Sequence, residues 1–248
     1  MGIRTLTLML VAALATIGLL ALSPDFSVFL PQLLRGAVLT VEIAVLGCLL
    51  AVAMGVFAAL ARMYGLRPLR WLATTYVEIF RGTSALVQLF WLFFVLPQFG
   101  VTLPPFLVAV LALGLNVGAY GSEVVRGAIL GVHRGQWEAA TALNMTRAQA
   151  LRRIILPQAF VAMIPPWGNL FIELLKATSL VSLITLADLT FKAQTLNQST
   201  FKTVPIFKTV PIFTLVLLLY LALSLVLTIG MRWLENRAAL GLARGSGR

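Results

Sequence analysis

The chain has 248 residues, of which 60% fall in the AVILMFWYC set and only 11% are charged. Soluble domains carry about 25% charged residues, and a water-soluble fold of this length could not hide so much apolar surface. That composition excludes disordered, collagen-like and disulfide-scaffold classes, and points to an all-α polytopic membrane bundle. Cys48, the single cysteine, leaves no disulfide framework and no cysteine metal site. The formal charge of +11 comes from Arg and Lys that flank apolar runs instead of forming one stripe, which speaks for membrane topology and against nucleic-acid binding.

In chain order, apolar runs predict six spans near 5–22, 37–61, 83–99, 105–127, 164–187 and 211–231. The first follows Arg4 as a signal peptide would, but no A-x-A cleavage site comes after it, so it reads as a retained helix. With the N-terminus inside, twelve arginines fall in cytoplasmic segments, Arg62, Arg134 and Arg153 among them. The opposite side holds four cations, Arg35, Lys192, Lys202 and Lys208. Both termini are therefore expected in the cytoplasm. Residues 70–82 read as an amphipathic lead-in to the third span, with Glu78 and Arg81 spaced to pair at i, i+3. Pro104-Pro105 and Pro165-Pro166 each mark a helix start. Trp71, Trp91, Trp167 and Trp233 fall near span ends as candidate interface anchors, while Glu42 is assigned to helix packing.

Residues 201–206, FKTVPI, recur at once as 207–212. Six residues turn a helix by about 600°, and Pro205 and Pro211 interrupt its hydrogen bonds. The duplication is placed in an external loop and at the entrance to the last span, as a tolerated insertion without function.

The longest predicted cytoplasmic segment, 128–160, is too polar to span and too helix-prone for a slack linker. Gly135 to Leu143 reads as a short helix with Glu138 in its first turn. Asn144 suits the left-handed residue that closes such a helix. Thr146 and Gln149 form a T-x-x-Q capping box for a second helix carrying Arg147, Arg152 and Arg153, which Leu156-Pro157 limits. Local chemistry leaves two readings open: a solvated loop that enforces topology, or a rigid docking surface for a soluble partner.

The sequence EAATALNMTRAQALRRIILP (138–157) resembles the EAA loop of ABC-importer permeases, whose pattern is E-A-A, three residues, Gly, nine residues, I-x-L-P. Glu138, Ala139, Ala140, Ile154, Leu156 and Pro157 match in register, and Asn144 stands at the family glycine. FRGTSALVQLFWLFF (80–94) and AYGSEVVRGAILGVHRGQWEAA (119–140) resemble segments of polar amino acid permeases, with Ser84 where proline is common. The likeness covers about residues 33–238. It implies a type I importer permease of the histidine/glutamine/arginine group, similar also to ectoine and hydroxyectoine permeases.

What the resemblance implies is a five-helix core at 33–238, an added N-terminal helix and external loop at 1–32, and a cytoplasmic tail at 239–248. Two permease subunits, of one or two sequences, would form the pathway in a bacterial inner membrane. An external binding protein would deliver a zwitterionic solute, and a dimer of ATPase subunits, holding all the ATP and Mg²⁺, would drive alternating access. This chain would carry no cofactor and no catalysis. Gly135, Glu138, Ala139, Ala140, Asn144 and Pro157 would serve coupling to the ATPase.

Polar residues at bilayer depth point independently to a pathway. Asn116, Tyr120 and Glu123 share one face of the fourth span, and Asn169, Glu173 and Lys176 repeat the spacing on the fifth. Charges there are costly and should face the bundle interior or water, so two apposed stripes, with Gln88, are the substrate-pathway candidates. The alternatives are self-neutralising pairs, Glu173 with Lys176 and Glu123 with Arg126. An intramembrane enzyme has no catalytic set to draw on: His133 lies in a loop, and Asp25 and Asp188 near span ends. No G-x-x-x-x-G-K-[ST] motif is present. An ATP-independent secondary transporter would be expected to show inverted repeats or discontinuous spans, and the sequence displays neither.

Overall fold

The structure, a computed structural model, describes residues 2–22, 27, 29–201 and 209–245. Asp25, Lys202, Lys208, most of the duplication and the end of the tail lie outside the described residues. The helices are α1 Ile3–Ala21, α2 Leu30–Tyr64, α3 Arg67–Gly82, α4 Ala85–Phe99, α5 Pro105–Leu130, α6 Arg134–Ala142, α7 Arg147–Ile184, α8 Leu189–Phe201 and α9 Thr209–Gly245. Five of them (α1, α2, α5, α7 and α9) are long and apolar enough to cross a membrane. Taken together, α3 and α4 make a sixth such element, bent by 107° at its break. The expected all-α membrane bundle is what forms.

Helix α5 is the axis of the bundle: 67% of its apolar window is buried, against 11% for α1. Glycines bring α2 and α5 into backbone contact. A Cβ at Gly114 would lie 3.1 Å from the Gly47 carbonyl, and one at Gly55 would lie 3.1 Å from that of Gly118. Lipid tails are as apolar as side chains, so close packing of small residues is what draws such helices together. Helix α7 joins them through Trp167, whose ring occupies the slot left by Gly55 and Gly121. A Cβ at Gly121 would overlap that ring. Trp167 is only 7% exposed, so this expected interface anchor is a core residue, because two glycines on neighbouring helices leave room for a flat ring. Trp71, Trp91 and Trp233 are exposed.

A second core joins α1, the start of α2, α8 and α9 through Ile17, Leu33, Leu189 and Ile212. Between α7 and α8, Asp188 caps the latter: its carboxylate accepts from the N–H of Phe191 at 2.8 Å and of Thr190 at 3.2 Å. Burial pushes this carboxyl up to about 6.

Several expectations need correction. Pro104-Pro105 does open α5, but Pro165-Pro166 lies inside α7. Spanning helices tolerate internal proline because neighbours re-satisfy the freed carbonyls. Leu156-Pro157 does not end a helix either. The chain widens into a π turn over Leu151–Ile155, where the Leu156 N–H bonds to the Leu151 carbonyl, and passes Pro157 without leaving the helical path. Glu42, assigned to helix packing, is exposed on α2. The α3–α4 break is a discontinuity that apolarity alone did not reveal.

Candidate functional site

Two polar regions stand out from the apolar bundle. The first is the short helix α6 and the turn that follows it. His133 caps α6, its Nδ1 accepting from the Gly135 N–H at 3.1 Å, so this histidine has a structural task in the loop. A Cβ at Gly135 would crowd the same ring at 3.1 Å. At the other end the Met145 N–H bonds to the Ala140 carbonyl and the Asn144 N–H to Thr141. Asn144 is left-handed, with φ 55°, as the family-glycine position requires. The capping box forms in both directions, Thr146 N–H to Gln149 Oε1 at 2.9 Å and Gln149 N–H to Thr146 Oγ1 at 3.3 Å.

Helix α6 starts at Arg134, so Glu138 falls beyond the first turn and interacts little with the helix dipole, contrary to expectation. The helix is two-sided. Trp137 packs on the main core and Ala140 is fully buried, whereas Glu138, Ala139 and Asn144 face outward. Leu143 is 73% exposed beside them, and sequence reasoning passed over it. Pro157 is exposed on α7 one π turn beyond the capping box.

The second region is the α3–α4 break. A helix that stops at bilayer depth leaves its last carbonyls without partners. Here side chains supply them. Thr83 Oγ1 donates to Ile79 O at 2.8 Å. Gln88 and Asn116 both donate to Phe80 O, at 3.0 and 2.9 Å, and Asn116 also donates to Gln88 Oε1 at 3.2 Å. Tyr120 donates to Arg81 O at 3.4 Å. Two pathway candidates, Gln88 and Asn116, are thus brought together as braces of the break.

Next to it lies an ion cluster. Glu123 Oε1 receives Arg62 Nη1 at 2.6 Å, and Oε2 receives Arg126 Nη2 at 2.7 Å, while Arg81 approaches Oε1 at 3.5 Å. The Glu123–Arg126 pair therefore forms, but within a larger set. Arg81 goes to Glu123 and not to Glu78 as its spacing suggested. Sequence reasoning missed Arg62 and Arg81 as its partners; both lie on other helices, Arg62 61 positions away, and no local signal pointed to them.

The two stripes are not apposed. Helices α5 and α7 meet through Gly121 and Trp167, while Asn169, Glu173 and Lys176 run along an exposed face of α7. Glu173 and Lys176 form no ion pair with each other among the described residues. Asn169 instead lines a cavity of about 520 Å³ that α7 shares with α9, across from Arg232 and Glu235. No group of His, Cys, Asp or Glu among the described residues could hold a metal ion.

The chain is a multi-span membrane bundle that carries a short capped helix and a braced helix break. Residues 51–240 match the family described as binding-protein-dependent transport system inner membrane component, and the chain belongs to it. It is 49% identical to the L-cystine transport system permease protein TcyB of Bacillus subtilis (strain 168) over 67% of this chain and 71% of that one. It is 48% identical to the probable amino-acid ABC transporter permease protein y4tF of Sinorhizobium fredii (strain NBRC 101917 / NGR234) over 71% and 76%. Among solved structures, an amino acid ABC transporter with histidines superposes with a TM-score of 0.78 at 35% identity, covering 87% of this chain and all of that one. The chain is thus the multi-pass inner-membrane permease component of a binding-protein-dependent ABC importer, and is not the ATPase.

Proposed function

We propose that this chain, with a second permease subunit of the same or a related sequence, forms the pathway for a polar amino acid delivered by an external binding protein. Residues 33–238 carry transport, 1–32 add a helix, and 239–248 form a tail. Both termini and α6 face the cytoplasm, and one subunit of an ATPase dimer docks on α6. Closure of the ATPases on ATP pulls α6 and with it α7, a rigid-body switch that turns the pathway outward.

The observation that carries this reading is the outward face of α6. Glu138 and Leu143 offer one charge and one apolar contact on a helix fixed at both ends by His133 and Asn144. Gly135 leaves room for the His133 cap and Ala140 is buried beneath that helix, Ala139 permits close approach, and Pro157 stands where the docking segment enters the span. The exposed stripe of Asn169, Glu173 and Lys176 offers charges of both signs to a zwitterion or to the second subunit.

The test is a mild-detergent pull-down of the tagged protein from its native membrane, followed by uptake assays. An ABC ATPase should be retained at near-equal abundance, with a second permease or a second copy of this one. Any binding protein retained is then screened against polar amino acids and ectoine. Glu138→Arg should insert normally yet lose the ATPase and lower uptake more than tenfold. Normal uptake by that variant, or uptake that needs no ATP, refutes the docking assignment.

A further inference from the structure

The charges at the α3–α4 break do not balance. Three guanidiniums, those of Arg62, Arg81 and Arg126, converge on the single carboxylate of Glu123. Both of its oxygens are engaged at short range, one by Arg62 at 2.6 Å and the other by Arg126 at 2.7 Å. Arg81 stands off at 3.5 Å, and its side chain is 38% exposed against 17% for Arg62. Even with the exposed Glu78, one turn back on α3, three cations face two carboxylates. Arg81 is thus the least compensated cation of the set, and its exposed side gives an anion access to it.

Arg81 is nevertheless held in place. The Tyr120 ring lies beside its guanidinium, 5.5 Å from carbon to centroid, and the Tyr120 hydroxyl fixes the Arg81 carbonyl. What remains is a positioned planar fork of N–H donors, loosely paired with Glu123 and partly exposed. That geometry matches a carboxylate, which accepts two parallel bonds from one guanidinium.

We propose that Arg81 receives the carboxylate of the transported solute, a step that rests on the importer reading above. Glu123, whose oxygens are taken by Arg62 and Arg126, is a positioning residue that holds Arg81 from behind and does not itself contact the solute. The site selects for carboxylate-bearing solutes over their amides, because an amide leaves the surplus charge unmatched.

The test uses the complete importer, co-purified and reconstituted in liposomes with its binding protein, and a mixture of uniformly ¹⁴C-labelled L-amino acids as probe. Wild type should accumulate label only with ATP. Arg81→Gln should accumulate at least tenfold less, and Arg81→Lys, which keeps the charge but not the fork, should fall between Arg81→Gln and wild type. Arg62→Gln separates contact from architecture, since Arg62 makes the shorter and more buried bond to the same Glu123. A solute contact predicts that Arg81→Gln is the worse of the two, and a purely structural cluster predicts the reverse.

Saturation-transfer NMR on the importer without binding protein then compares the accumulated amino acid with its carboxamide. Wild type and Arg81→Lys should transfer saturation to the acid alone, and Arg81→Gln to neither. Wild-type transport or acid binding by Arg81→Gln, or a larger loss in Arg62→Gln, overturns the assignment. A wild-type importer that accumulates no amino acid overturns the importer reading, and this proposal falls with it.

Discussion

The loop around α6 and the helix break are both polar islands in an apolar bundle, yet their bonds run over very different distances in sequence. In the loop, His133 bonds two residues ahead and Thr146 three. At the break, Asn116 reaches Phe80 across 36 positions and Arg62 reaches Glu123 across 61. The loop is therefore a locally folded part whose outer face can change without disturbing the bundle. By contrast, the break is held by four helices at once, α2 to α5, and loss of one brace is felt by all of them.

That contrast can be broken by substitution, and the largest effect is expected at the hub. Glu123→Leu leaves three arginines around an apolar side chain. It should lower unfolding stability in detergent by about 2–3 kcal/mol, somewhat under the cost of stripping one partner from a fully buried ion pair because Glu123 is partly exposed. Glu138→Arg provides the counterpart, with uptake lost and the melting temperature unmoved. If both variants melted alike, the two regions would not differ as described.

Asn144→Val should cost about 1–2 kcal/mol, since a β-branched residue is strained in the left-handed region, whereas Asn144→Gly should be nearly neutral. Thermal unfolding of the pair reads the difference directly.

The smallest effect concerns the cap of α8. The Asp188 carboxyl, raised from 3.8 to about 6, favours the fold while protonated. That contribution is full below the lower value and is lost as pH rises through the upper one. Between about pH 5 and pH 7.5 the wild type should lose more thermal stability than Asp188→Asn; equal slopes would show that this carboxyl titrates normally.

How much was legible follows from the same difference in range. The Asn144 turn and the Thr146–Gln149 box were readable because each is decided within four residues. Spans were readable because apolarity over about 20 residues leaves no other solution. The two-sidedness of α6 was not, since the burial of Ala140 depends on where the bundle lies. The partners of Glu123 were hidden for a related reason: i, i+3 spacing found Arg126, but nothing local names Arg62. Pro165-Pro166 misled because the rule applied to it, proline at a helix start, describes helices in water. Trp167 misled in the same way, since its two glycine neighbours are remote in sequence.

Helix α7 runs unbroken through 38 residues from the capping box to Ile184, and Trp167 pins it near its middle against α2 and α5. At 1.5 Å per residue its two arms are roughly 30 Å and 26 Å long. It has the proportions of a balanced lever with a tryptophan as fulcrum. A tilt about that point that carries the end beside α6 one way carries the far end nearly as far the other way. Travel applied at one face of the bundle emerges at the opposite face almost undiminished and reversed in sense.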